Sequence, residues 1–268
     1  MFPKKNLGQN FLKNKLKIRK IIDCLKHKDG DFIIEVGSGN GELTKELLKS
    51  EKEFTLIAIE KDDALAIKLK ENITDARVKI LQGDALELIP SLVREKKLVD
   101  GLYKIFGNIP YYITGYLLRT LGNLGQKPSL TVLTIQKEVA QRICAVPPKM
   151  NLLSASVRVW GNPKIFDTIG KNDFSPKPKV DSAIISIVTK PQNKRCGSEF
   201  YYPFIKILFK QPRKTAVNNL LKLKLPKEYI LDIFQRINIP TNARPQDINI
   251  EIIKKLSEIV YNEMEICS

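Results

Sequence analysis

Residues Phe106-Gly-Asn-Ile-Pro-Tyr-Tyr-Ile-Thr114 end a hydrophobic run with a carboxamide, a proline and two aromatic rings. The Asn108 side chain can both donate and accept. Pro110 removes a backbone donor and biases Ile109 toward an extended conformation, which leaves nearby carbonyls without helical partners. Tyr111 offers a π-face, and Tyr112 reads as an anchor of the turn to the core. Such a set suits a flat, hydrogen-bonding ligand. Three other stretches carry comparable chemistry. Glu35-Val-Gly-Ser-Gly-Asn-Gly41 is a G-x-G-x-G loop, one residue short of the dinucleotide fingerprint, whose Gly37 and Gly39 let a ligand lie against the backbone. Glu60 lies twenty-three residues beyond Gly37, where a carboxylate can accept ribose hydroxyls. Gln82-Gly83-Asp84-Ala85 places a second carboxylate, suited to a purine amine, with Ala85 beside it.

These four stretches act together only if their elements bring them to one edge. FIIEVG (32–37), TLIAIE (55–60), VKILQG (78–83), LYKIFG (102–107), SLTVLTI (129–135), SASVRVW (154–160) and AIISIVT (183–189) predict seven strands. Helices are predicted over ELTKELLKS, DDALAIKLKENI, YYITGYLLRTLGNL and KEVAQRICAV, and from Leu12 to Leu25 by apolar spacing. The strands are apolar throughout, which predicts a doubly wound α/β domain: a parallel sheet covered on both faces, with an antiparallel strand at its far edge. Ligands gather beyond the carboxyl ends of such strands. The glycine loop, Glu60, Asp84 and Asn108 would then face one crevice. Glycine, acid, acid on successive tips describes a site for a nucleoside without pyrophosphate, and S-adenosylmethionine is the common cofactor of that description. The polar stretch KPQNKRCGSE reads as a linker between a domain over residues 1–190, with an N-terminal arm 1–14, and a small all-helical, basic domain over 198–268.

The chain has 268 residues, 43% hydrophobic, so it can bury a proper core. Lys and Arg number 45 against 29 Asp and Glu, a net +16 that favours a polyanionic partner. A Lys-, Ile- and Asn-rich composition is the competing account of that charge. Cys24, Cys144, Cys196 and Cys267 form no C-x-x-C pair, which argues against a disulfide framework or a metal site. His27 is the only histidine, so chemistry needing a Ser-His pair or several imidazole ligands is excluded, and an ordinary place near a helix end is expected for it. No apolar run approaches the about 20 residues of a membrane span. A cytoplasmic, monomeric protein without a metal is expected.

Asn-Ile-Pro-Tyr after a strand of a G-x-G-x-G domain resembles the N-[IL]-P-[YF] motif of adenine amino-methyltransferases. Four further segments resemble the ribosomal small-subunit (16S) RNA adenine N6,N6-dimethyltransferase family: Asn6-Leu-Gly-Gln-Asn-Phe-Leu12, Gln136-Lys-Glu-Val-Ala-Gln-Arg142, Phe174-Ser-Pro-Lys-Pro-Lys-Val-Asp-Ser182 and Gln211-Pro-Arg-Lys-Thr215. They span almost the whole chain in the family's order. The sequence departs mildly, with Ser38 for the usual Pro, Tyr112 for a frequent Asn and Gly115 for a frequent hydroxyl residue.

The resemblance implies a seven-stranded S-adenosylmethionine-dependent methyltransferase domain followed by a helical one. It implies dimethylation of two adjacent adenosines in the 3′-terminal hairpin loop of 16S RNA during small-subunit assembly. The large-subunit (23S) adenine methylase of macrolide resistance and a non-catalytic assembly factor are the rival readings. By the same resemblance Asn10 and Leu12 lie over the cofactor, Gly37 and Gly39 beneath it, Glu60 on the ribose, Asp84 and Ala85 at the adenine ring, and Asn108 at the methyl-transfer end. Pro110 and Tyr111 join Asn108 in catalysis, and Phe174 is the expected second stacking partner of the target base. Lys4, Lys5, Lys13, Lys15, Arg142, Lys177, Lys179, Arg213 and Lys214 are expected to meet RNA phosphates.

Overall fold

The computed structural model describes residues 9–95, 98, 101–191 and 198–266. Its chain forms two compact units, Met1–Gln141 with Asn162–Thr189, and Arg142–Gly161 with Lys190–Ser268. The boundary thus differs from the expected 1–190, because residues 142–161 group with the helical unit.

In the first unit a seven-stranded sheet runs through β2 (Asp31–Val36), β3 (Phe54–Glu60), β4 (Val78–Gln82), β5 (Tyr103–Asn108), β6 (Leu130–Gln136), β7 (Gly161–Ile169) and β9 (Ser182–Thr189). The spatial order is β4-β3-β2-β5-β6-β9-β7. β2 pairs in parallel with both β3 and β5, β6 continues parallel to β5, and β9 joins β6 antiparallel. Neighbouring Ile33 and Ile34 are both fully buried, as they must be when helices cover both faces. On one face α1 (Lys15–Leu25) packs Ile18, Ile21, Ile22 and Leu25 against Ile33, Leu56, Phe106 and Val132. Asn14 starts that helix by accepting from the Leu16 and Lys17 amides. Just past its end, His27 Nε2 shares a 2.8 Å hydrogen bond with Ser50 Oγ, an ordinary structural position.

Seven strands are present, but one lies elsewhere than expected. SASVRVW is not a strand: it falls mostly in α7 (Leu152–Arg158), begun by a capping box in which Asn151 Oδ1 accepts from the Leu153 and Ser154 amides and Ser154 Oγ accepts from the Asn151 amide. The missing strand is β7, polar, largely exposed and containing Pro163, features that an edge strand tolerates. Two short strands add a separate pair, β1 (Phe11–Leu12) and β8 (Phe174–Ser175), antiparallel to each other.

The second unit is helical: α7, α8 (Ser198–Leu208), α9 (Ala216–Leu220), α10 (Lys227–Arg236) and α11 (Ile250–Ile266). Phe204, Leu208, Ile233, Phe234 and Leu256 are buried in its core. The helices break at QPRKT, and Thr215 caps α9 by accepting from the Asn218 amide.

Candidate active site

In the sheet order, β2 connects outward to β3 on one side while β5 lies on its other side, so the strand order reverses between β2 and β5. That reversal opens a crevice at the carboxyl ends of both strands. Gly37 follows β2 and Asn108 ends β5. Between the two backbones there is room only for glycine at one further point. A Cβ on Gly107 would lie 2.3 Å from the Val36 carbonyl oxygen.

The glycine loop is held from β3. Gly37 and Ser38 donate to the Ile59 carbonyl, and Gly39 donates to Glu60 Oε2 at 2.8 Å. Gly37 and Gly39 have φ of +70° and +58°, a region that L side chains rarely adopt, and a Cβ on Gly39 would meet the Phe11 ring at 3.1 Å. Glu60 Oε1 accepts from the Asp62 amide at 2.8 Å. Both Glu60 oxygens thus accept from the backbone. Burial raises the Glu60 pKa, opposed by these backbone donors. Asp84 Oδ1 accepts from the Leu86 amide, while Oδ2 pairs with Lys61 Nζ at 2.7 Å. Burial pushes the Asp84 carboxyl up, but Lys61 and the Leu86 amide outweigh it and hold the group below its ordinary value.

At the fourth tip, Asn108 Nδ2 donates to the Asn10 carbonyl at 2.8 Å, which orients the carboxamide and leaves Oδ1 as acceptor. The Pro110 carbonyl accepts from the Ile113 amide at 3.1 Å and keeps its second lone pair. The Tyr111 hydroxyl shares a 2.9 Å hydrogen bond with Ser182 Oγ. Burial raises the Tyr111 pKa, so the phenol is neutral at ordinary pH.

One cleft of about 970 Å³, counting its open mouth, is lined by Asn10, Leu12, Gly37, Gly39, Glu60, Asp84, Ala85, Asn108, Pro110 and Tyr111. Of the expected catalytic and cofactor residues only Phe174 is outside it. Pairing of β8 with β1 turns Phe174 into the core with Leu12, 4% exposed, so it has no face free for a base. Of the two tyrosines, Tyr112 departs from its expected part as an anchor to the core. Tyr111 is the one tied to the core, through Ser182, although it still borders the cleft, whereas Tyr112 is 51% exposed at the mouth.

A family model described as ribosomal RNA adenine dimethylase matches residues 3–259. The chain belongs to that family. Among its relatives are the ribosomal RNA small subunit methyltransferase A of Mycoplasma mycoides, 34% identical over 97% of this chain and 98% of the relative, and that of Dehalococcoides mccartyi, 36% identical over 94% and 87%. A crystal structure of a dimethyladenosine transferase from Plasmodium falciparum shares the fold at TM-score 0.79 and 23% identity, covering 94% of this chain and 98% of the other. The chain is accordingly a methyltransferase of ribosomal RNA adenine, and membership in the dimethylase family implies S-adenosylmethionine as methyl donor. The positive-φ glycines, Glu60 and Asp84 line the cleft together with Asn108, Pro110 and Tyr111.

Arg142, Lys177, Lys179, Arg213 and Lys214 are all exposed, as are Lys13 and Lys15; Lys4 and Lys5 lie outside the described residues. Several contributors escaped sequence reasoning. A glycine inside a strand marks a bulge or a close approach in general, but nothing local sets Val36 against Gly107. Ser182 ended a quoted motif without a role. Lys61, which occupies Asp84, and Glu35, buried beneath the loop and accepting from the Thr44 hydroxyl, carried no local signal.

Proposed function

We propose that this chain transfers two methyl groups to the N6 amine of each of two adjacent adenosines in the 3′-terminal hairpin loop of 16S RNA, within assembling small ribosomal subunits. The observation that carries the reading is the meeting of Asn108, Pro110 and Tyr111 with Gly37, Glu60 and Asp84 around one cleft. The small-subunit choice is supported by the names of near full-length relatives.

When bound, S-adenosylmethionine supplies a methyl group already activated on a sulfonium. Glu60 would hold its ribose, Asp84 and Ala85 its adenine end, and Asn10 and Leu12 would cover it. The residues of the acceptor side do the rest. Adenine's amine is a poor nucleophile because its lone pair is delocalised into the ring. Asn108 Oδ1 and the Pro110 carbonyl accept from its N–H groups, two before the first transfer and one before the second, which draws the nitrogen toward tetrahedral geometry and frees the lone pair. Alignment of this kind contributes about 7–11 kcal/mol in favourable intramolecular models. No strong base is needed, since the proton can leave after transfer, and this accounts for a site without histidine. Moving the target base out of its stack costs a few kcal/mol, and one aromatic platform returns about 1–3 kcal/mol. Tyr111 supplies that platform.

Labelled methyl groups should map to the two adjacent adenosines after the full chain is incubated with undermethylated small subunits. Transfer confined to large subunits would overturn the small-subunit assignment.

A further inference from the structure

The 3₁₀ turn Tyr111–Ile113 passes without a break into α5 (Thr114–Asn123): Ile113 has φ −95° and ψ −8°, Thr114 φ −52° and ψ −48°. One side of this run, Thr114, Leu117, Leu118 and Leu121, is buried. The other side presents Tyr112, Gly115, Tyr116 and Arg119, all exposed and spaced i, i+3, i+4, i+7, which places them on one face. Tyr112 and Tyr116, at 51% and 66%, are the two most exposed aromatic side chains among the described residues. Two tyrosines are unusual company for a merely solvated face. Between them Gly115 leaves bare backbone, since a Cβ there would meet nothing within 4 Å. A glycine with no packing reason destabilises a helix relative to alanine. The face starts at the cleft itself, because Tyr112 lines its mouth.

We propose that this face is a stacking shelf for the RNA nucleotides flanking the target adenosine, with the rings of Tyr112 and Tyr116 receiving bases and Arg119 adding positive charge toward the phosphates. The occupant is loop RNA for three reasons. The shelf continues the acceptor side of a ribosomal RNA adenine methyltransferase, the chain carries a net +16, and exposed aromatic rings bordered by a cation match unstacked bases. The shelf also supplies the second aromatic surface that buried Phe174 does not. This inference rests on the RNA function proposed above and adds to it how the loop is held.

The test uses the full chain and a synthetic hairpin with two adjacent loop adenosines, in which 2-aminopurine replaces the nucleotide next to the target. Wild type should quench the 2-aminopurine fluorescence on binding. Tyr116→Ala should abolish the quenching and weaken hairpin binding about tenfold, with the calorimetric affinity for S-adenosylmethionine and the thermal midpoint unchanged. Tyr116→Phe should behave as wild type. Gly115→Leu, which fills the gap and removes no ring, should weaken binding similarly without lowering the thermal midpoint. Unaltered quenching and affinity in Tyr116→Ala would overturn the shelf while leaving the methyltransferase reading intact. Failure of wild type to methylate any ribosomal RNA would overturn both.

Discussion

Asn108 shows how much a single side chain can be asked to do. Its Nδ2 donates to the Asn10 carbonyl, and in the proposed mechanism its Oδ1 accepts from the substrate amine. Asn108→Ala should therefore abolish methyl transfer while S-adenosylmethionine still binds by calorimetry; unchanged turnover would refute the role. Glu35 is the opposite case, a residue that no substrate touches. Its carboxyl is fully buried, and burial first of all, with the nearby Glu60 charge adding, raises its pKa from 4.5 to about 7 against the Thr44 hydrogen bond. The folded pKa exceeds the unfolded one, so below pH 4.5 both states hold the proton and nothing is lost. Between about pH 4.5 and 7 only the folded state keeps it, and stability falls as pH rises. At pH 8 the deficit reaches about 3 kcal/mol, taking 1.36 kcal/mol for each pH unit of the displacement. Glu35→Gln should flatten this part of the pH–stability curve in chemical denaturation, and a slope identical to wild type would count against it. The identities of Asn108, Glu60 and Asp84 were legible because each ends a strand run. The division of work between Tyr111 and Tyr112 was not, because two adjacent tyrosines look alike until Ser182, seventy-one residues from Tyr111, takes one of them.

At the scale of elements, the local rules worked where a segment's pattern and its neighbours agreed. β2 to β6 fall within a residue or so of their expected bounds, since continuous Ile, Val and Leu runs suit a sheet buried on both faces. SASVRVW shows the opposite outcome. Its β-branched residues alternate like a strand, yet Asn151 and Ser154 close a capping box that satisfies the first helical amides. That box should be worth about 1 kcal/mol. Asn151→Ala should lower the unfolding free energy by that amount without altering affinity for S-adenosylmethionine, checked by denaturation and calorimetry. β7 hid for a complementary reason: as an edge strand it buries few residues and so carries no apolar signature.

Across the whole molecule the charge of +16 is the property most relevant to a ribosomal substrate. In the helical unit the positive groups crowd one another: burial and then the neighbouring Lys210 and Lys214 hold the Lys222 ammonium below its usual pKa. Like charges gathered in this way are relieved by a phosphate backbone. Removing exposed Arg213 and Lys214 together by alanine substitution should reduce the slope of log affinity against log salt by about 1.5, at roughly 0.7–0.9 per lost phosphate contact. A slope equal to wild type would remove both from the RNA interface. Among the described residues no helix is long and apolar enough to cross a membrane.

By itself the sequence determined the doubly wound sheet, the helical character of the last seventy residues, the positive charge and the residues of the four strand tips. Each of these is written in local hydrophobic periodicity or in a short motif. Tertiary structure alone decided that Phe174 is core, that Tyr112 is exposed, that residues 142–161 leave the sheet domain and that Gly107 admits no side chain. Those outcomes depend on partners far away in the chain: β1 for Phe174, Ser182 for Tyr111, Val36 for Gly107. Burial is a property of what packs against a residue, and no local pattern specifies which distant segment that will be.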